Sequence, residues 1–131
     1  MRYILLGLLL TIAAGTQSAY APAQPVSATL LVGKWSAAEK MANGTTIVTS
    51  VTLTQNMKFS GIATVQGTEF WNYSGTWELK GNQLIWHYEN SSRPLPESAK
   101  TDVDDIVSVD ASKLVLVSHL SGQQHEFARA K

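Results

Sequence analysis

Residues 69–89 read EFWNYSGTWELKGNQLIWHYE, from Glu69 to Glu89, and this stretch decides the fold. Bulky residues alternate with polar ones on both sides of Gly81-Asn82, the period of two expected of half-buried strands. A two-residue Gly-Asn connection is a hairpin signal because glycine accepts the positive φ that such turns need. Folding the stretch about this turn sets Leu79 against Leu84, Trp77 against Trp86 and Gly75 against Tyr88. Large rings then meet across the ladder and one ring lies over a glycine, and aromatic cross-strand pairs contribute up to about 1 kcal/mol each.

The same reading extends outward. Thr45 to Thr54 places Ile47, Val51 and Leu53 on one parity, and Lys58 to Gln66 places Phe59, Gly61, Ala63 and Val65 on one face. A three-residue loop at Gln55-Asn56-Met57 matches Leu53 with Phe59 and Val51 with Gly61, so turn geometry and apolar pattern agree on register. A two-residue turn at Ala111-Ser112 matches Val109 with Leu114 and Val107 with Leu116. Another at Ser121-Gly122 matches Ser118 with His125 and Leu116 with Phe127. With a further strand from Gly33 to Glu39, the chain is expected to be all-β, a meander of about eight antiparallel strands closing into a small up-and-down barrel. The one short helical candidate is Ser36 to Met41. Between strands, the Pro- and Ser-rich segment Asn90 to Thr101 is a long loop of the kind that is often functional or mobile, and Asp102, Asp104 and Asp105 read as an acidic continuation of it.

The first residues have the order of a secretory signal: Arg2, an apolar run from Tyr3 to Leu10 extended by Ile12, Ala13 and Ala14, and Ala19-Tyr20-Ala21 as the cleavage site. The run is short of the roughly 20 apolar residues that a membrane span needs. The expected organisation is a cleaved signal peptide at 1–21, a flexible segment at 22–29 and a barrel domain at 30–131. The protein is then exported, periplasmic or secreted, with no stable membrane anchor after cleavage. An uncleaved anchor is the alternative.

The chain has ten basic and ten acidic residues and no cysteine. That balance argues against a nucleic-acid partner, which calls for a basic face. Without disulfides, stability rests on packing, and about 110 residues suffice for one core. Neither G-x-S-x-G, H-E-x-x-H nor a phosphate-cradling glycine loop occurs, the glutamates are scattered, and no EF-hand spacing links the aspartates. A non-enzymatic protein without metal or other cofactor is expected. Asn43, Asn72 and Asn90 head formal glycosylation sequons, which have meaning only in a eukaryotic source.

Gly33-Lys34-Trp35 at the opening strand resembles the G-x-W signature of lipocalin-like barrels. Lys58-Phe59-Ser60-Gly61 and Tyr73-Ser74-Gly75-Thr76-Trp77-Glu78-Leu79, followed by Lys80-Gly81-Asn82, are similar to phrases of small secreted bacterial lipocalin-like domains. The resemblance implies a ligand-binding barrel in which Arg129, on the last strand, packs on Trp35 and closes one end with Gly33. The chain is shorter than typical lipocalins and lacks their later motifs, which leaves a lumen filled by side chains as the alternative to a calyx. The opening is also similar to the avidin barrel, but the later tryptophans and tyrosines do not follow avidin's ligand pattern, so biotin is not expected.

Trp71, Tyr73, Trp77, Trp86, Tyr88 and Phe127 share the inferred inward face with Phe59. They line a pocket for a small apolar or amphipathic molecule, or else form a packed core whose barrel works through its surface on another protein. His87 and His119 fall on the opposite parity and His125 on the inner one, so the three histidines do not form a shared metal site. His125 stands as a lone polar group near the barrel mouth. Arg129 is placed opposite Leu114, on the inner parity.

Overall fold

A computed structural model describes residues 26–130. The signal-peptide reading of 1–21 and the first part of the segment at 22–29 lie outside them. One helical turn, α1 (Ala28–Leu31), precedes eight strands: β1 (Gly33–Lys40), β2 (Thr46–Leu53), β3 (Lys58–Val65), β4 (Thr68–Lys80), β5 (Gln83–Ser91), β6 (Thr101–Val109), β7 (Lys113–Ser118) and β8 (Gln124–Arg129). A 3₁₀ turn, Glu97–Ala99, lies between β5 and β6. Each strand pairs antiparallel with the next, and β8 returns to β1 to close the barrel. This is the expected meander, and an eight-stranded antiparallel barrel is consistent with the lipocalin-like architecture that the resemblance implies.

Where the turn is short, the register follows the sequence. Leu53 pairs with Phe59 and Val51 with Gly61; Leu79 pairs with Leu84, Trp77 with Trp86 and Gly75 with Tyr88; Val109 pairs with Leu114. At Gly75 it is the neighbouring backbone that requires a glycine. There the register shifts between Ser74 and Gly75, and the His87 backbone comes so close that no Cβ fits. The glycine beneath a ring is Gly61, whose missing Cβ leaves the space that the Tyr73 ring fills.

Two further registers differ from expectation. A bulge between Ile106 and Ser108 pairs Leu116 with Ile106 rather than Val107, and Val107 turns outward, 57% exposed. One extra residue in one strand reverses its parity from that point on. The last hairpin turns not on Ser121-Gly122 alone but on a longer loop, closed by Ser118 N–H to Gln123 O at 3.0 Å and Gly122 N–H to Ser118 O at 2.8 Å. Leu116 therefore pairs with His125 and Leu114 with Phe127. The slip is two residues, so the faces survive it, while Arg129 moves from Leu114 to the level of Ser112.

Two local assignments also change. Ser36–Met41 is not helical, since β1 runs through Lys40. The helical turn lies instead within and just after the segment read as flexible: the Ser27 side chain caps it by accepting from Thr29 N–H at 3.2 Å. Leu31 from this turn is fully buried in the core, with Val26 and Ala28 packed against it.

The loops after β2, β4 and β6 share the lower end of the barrel with α1; the loops after β1, β3, β5 and β7 share the upper end. The lower end is closed. Trp35 is fully buried and donates its Nε1–H to Leu31 O at 2.9 Å. The Arg129 guanidinium stands 4.1 Å over the Trp35 ring. It also donates to the carbonyls of Val32 at 2.8 Å, Leu30 at 2.6 Å and Ala111 at 2.7 Å. Gly33 lies at φ 140°, open to glycine, and a Cβ there would strike Arg129. Gly33, Trp35 and Arg129 thus meet at this end, tied by a cation–π contact and by charge-assisted hydrogen bonds from the guanidinium to backbone carbonyls.

Candidate functional site in the upper barrel

Above the level of Trp35 the packing changes. Phe59 is the hub of a ring cluster, edge-on to Trp86 at 5.0 Å and to Tyr88 at 5.3 Å, with Tyr73 meeting Tyr88 at 5.6 Å. Edge-to-face rings leave angular gaps that aliphatic side chains would fill. Between them lies a partly open cavity of about 100 Å³. Its wall is made by Val51, Phe59, Tyr73, Trp86, Tyr88, Leu116 and Phe127, with Thr49, Asp102, Asp104 and His125 supplying polar groups.

The structure divides the expected lining residues. Tyr73, Trp86, Tyr88, Phe127 and His125 meet at the cavity. Trp77 does not: it is buried lower, with its indole N–H 3.3 Å from Thr54 O. Trp71 stands at the upper rim, donating to Ser91 Oγ at 2.8 Å and edge-on to Tyr73 at 4.3 Å. The loop from residue 92 to 100 is attached at this rim through Ser92 N–H to Asn72 O at 2.9 Å, with Arg93 5.7 Å over the Phe70 ring.

Asp102 and Asp104 are the residues that sequence reasoning missed. They belong to β6, where Asp102, Asp104 and Ile106 share the inward face. Asp104 is only 9% exposed and accepts from Trp86 Nε1–H at 2.8 Å through Oδ2. Asp102 accepts from the Val103 N–H at 2.9 Å. The signal was present as a period of two over 102–106, but the valines at 103, 107 and 109 carry the opposite parity and outvoted it. The bulge at Val107 reconciles the two.

Burial shapes the protonation of these groups. It pushes the Asp104 carboxyl up to about 6, helped by the nearby Asp102 charge and opposed by the Trp86 hydrogen bond and by His125 and His119. Asp102 is raised by burial as well, against its backbone hydrogen bond. Burial pushes Tyr73 up to about 12, and Tyr88 is raised by burial and then by Tyr73, Asp102 and Asp104. Both phenols stay neutral at any physiological pH.

The histidines separate as their parities imply. His87 pairs with Glu78 at 2.7 Å and His119 with Asp105 at 2.9 Å, both on the outer surface. His125 pairs with Glu39 across the seam between β8 and β1. That seam is a ladder of two residue pairs at its lower end, Trp35 with Arg129 and Ser36 with Ala128. Among the described residues no three His, Asp or Glu side chains are grouped to hold a metal ion.

Compared with known proteins, the chain matches no family model and no curated protein.

Proposed function

We propose that this chain is an exported, non-enzymatic binding protein of lipocalin-like architecture that takes a small amphipathic molecule at the upper end of its barrel. The observation carrying this reading is the contrast between a lower half sealed by α1, Trp35 and Arg129 and an upper half that keeps an open, ring-lined cavity. A protein that needed only a core would gain by filling that space, because unfilled volume costs stability. The rim loop at 92–100 and the rim residue Trp71 extend the contact surface beyond the cavity.

Trp86 reports on the site, since its ring lines the cavity. Titration with short amphiphiles should quench tryptophan fluorescence saturably, and Trp86→Phe should remove most of the change. A panel of such probes with no saturable response would refute the reading.

A second reading is favoured by size. About 100 Å³ is below the 300–1,000 Å³ typical of small-molecule pockets, so most of the lumen is core, as in a barrel that acts through its surface on another protein. Deleting Arg93 to Glu97 should then abolish partner binding and leave the amphiphile titrations unchanged.

A further inference from the structure

We infer that the molecule taken by the upper cavity is an organic cation, an alkylammonium whose charged head sits among the rings beside Asp102 and Asp104; this rests on the binding reading above and gives it a ligand class. Two carboxylates face into one small cavity. Among the described residues, none of the ion pairs reaches either of them: two lysines and three histidines pair with Glu39, Glu78, Glu97, Asp105 and Glu126 instead. A buried carboxylate without a counter-ion is costly. Packing a hydrocarbon side chain at position 104 would remove that cost, yet the chain places an acid there and gives it a single indole donor.

The surrounding wall suits the same ligand. Phe59, Tyr73, Tyr88 and Trp86 present aromatic surface to the cavity, and ring faces attract cations, more strongly where water is excluded. The neutral phenols of Tyr73 and Tyr88 can accept a hydrogen bond from an ammonium N–H. The volume is smaller than the roughly 150 Å³ that admits benzene, so it takes a compact head group, with any longer chain leaving through the partly open mouth. An anion would meet two carboxylates, and a neutral hydrocarbon would leave both unpaired. A metal ion lacks a third protein ligand among the described residues.

The charged and titratable groups that face Asp104 in the cavity are Asp102 on its own strand, the neutral phenols of Tyr73 and Tyr88, and His125 from β8 with Glu39 of β1 behind it, while His119 acts on it from the outer surface. The ligand's positive charge competes with a proton for the same carboxylates, so affinity should fall on acidification.

The test compares n-butylammonium with n-butanol, read by Trp86 fluorescence and calorimetry at pH 8 and pH 5. The ammonium should saturate and bind at least fivefold more tightly at pH 8. Asp104→Asn should weaken it at least tenfold, and by a much larger factor than it changes n-butanol binding. Asp102→Asn, on the more exposed carboxylate, should weaken it by a smaller factor and serves if the first variant is misfolded by circular dichroism. If n-butanol binds as tightly as n-butylammonium, the cation inference is wrong and the binding reading stands. If neither saturates, both fall. If calcium or zinc displaces the ammonium in an Asp104-dependent way, the site is a metal site and the inference is overturned.

Discussion

The lower and upper halves of the barrel are built from the same strands and solve opposite problems. Below, the polar groups of both closing side chains are matched: the Trp35 indole spends its one N–H on Leu31 O, and the Arg129 guanidinium meets three carbonyls and a ring. Above, Asp104 is only 9% exposed, yet a carboxylate able to accept several hydrogen bonds has one side-chain donor. Polar groups below are used up in holding the fold, whereas those above keep unspent bonding capacity facing a cavity. Spare capacity at a buried position costs stability, and its retention marks a place where the fold is arranged for something other than folding.

Substitution should expose this contrast most sharply at Trp35. Trp35→Ala removes a fully buried ring and the platform of Arg129, and should cost about 3–5 kcal/mol in denaturant unfolding. An equal loss on Tyr88→Ala would break the distinction between halves, since Tyr88 already borders a void.

The next effect is a pH dependence seated in the upper half. Between the ordinary aspartate value of 3.8 and about 6, the folded protein keeps a proton on Asp104 that the unfolded chain has released. Unfolding therefore releases a proton in this window, and stability falls as pH rises through it, by up to about 3 kcal/mol once pH exceeds 6. The carboxylates held below their usual range, Glu78, Asp105 and Asp110, act in the opposite sense but only in more acid solution. Melting temperatures should be higher at pH 5 than at pH 7, and Asp104→Asn should be the more stable protein at pH 7 with a flatter profile. A variant less stable than the parent at pH 7 would show that the carboxylate is structural.

Gly61→Ala should follow at about 1–3 kcal/mol, because the new methyl occupies the place of the Tyr73 ring. The displaced ring has the cavity to move into, so this variant should also lose amphiphile binding; unchanged binding would place the ligand elsewhere.

The smallest effect concerns the bulge that separates the halves along β6. Val107→Ala should change stability by no more than about 0.5 kcal/mol, as an exposed site does, while its neighbour Ile106→Ala costs about 2–4 kcal/mol. The reverse ranking would restore the unbulged register and turn Asp102 and Asp104 outward.

How much could be read from the chain varies with the range of the interaction. The Gly81-Asn82 and Ala111-Ser112 turns and the Gln55-Asn56-Met57 loop are local, and each hands its register to strands whose alternation agrees with it. Tyr73, Trp86 and Tyr88 were legible as inner residues for that reason, while Phe127 and His125 kept their expected face because the last hairpin slips by two residues, an even number. Trp77 was equally inner and pairs with Trp86, but its indole reaches down to Thr54 O, an orientation that parity does not report. Asp102 and Asp104 were misread because a charge run ordinarily faces water, and one bulged residue hid their alignment with Ile106.

The residues alone determined the strand count, the meander and the inward face of every strand but β6, because periodicity and turn chemistry act between near neighbours. They also placed Arg129 over Trp35, though only through a family resemblance. Tertiary structure decided what the inward residues become. The fold of α1 under the barrel, the reach of the Trp77 indole to Thr54, and the bulge that turns two aspartates inward are set by packing and pairing between elements rather than by the alternation within one. The lower half became a sealed core and the upper half a ring-lined cavity for that reason, although the alternation of their residues is the same.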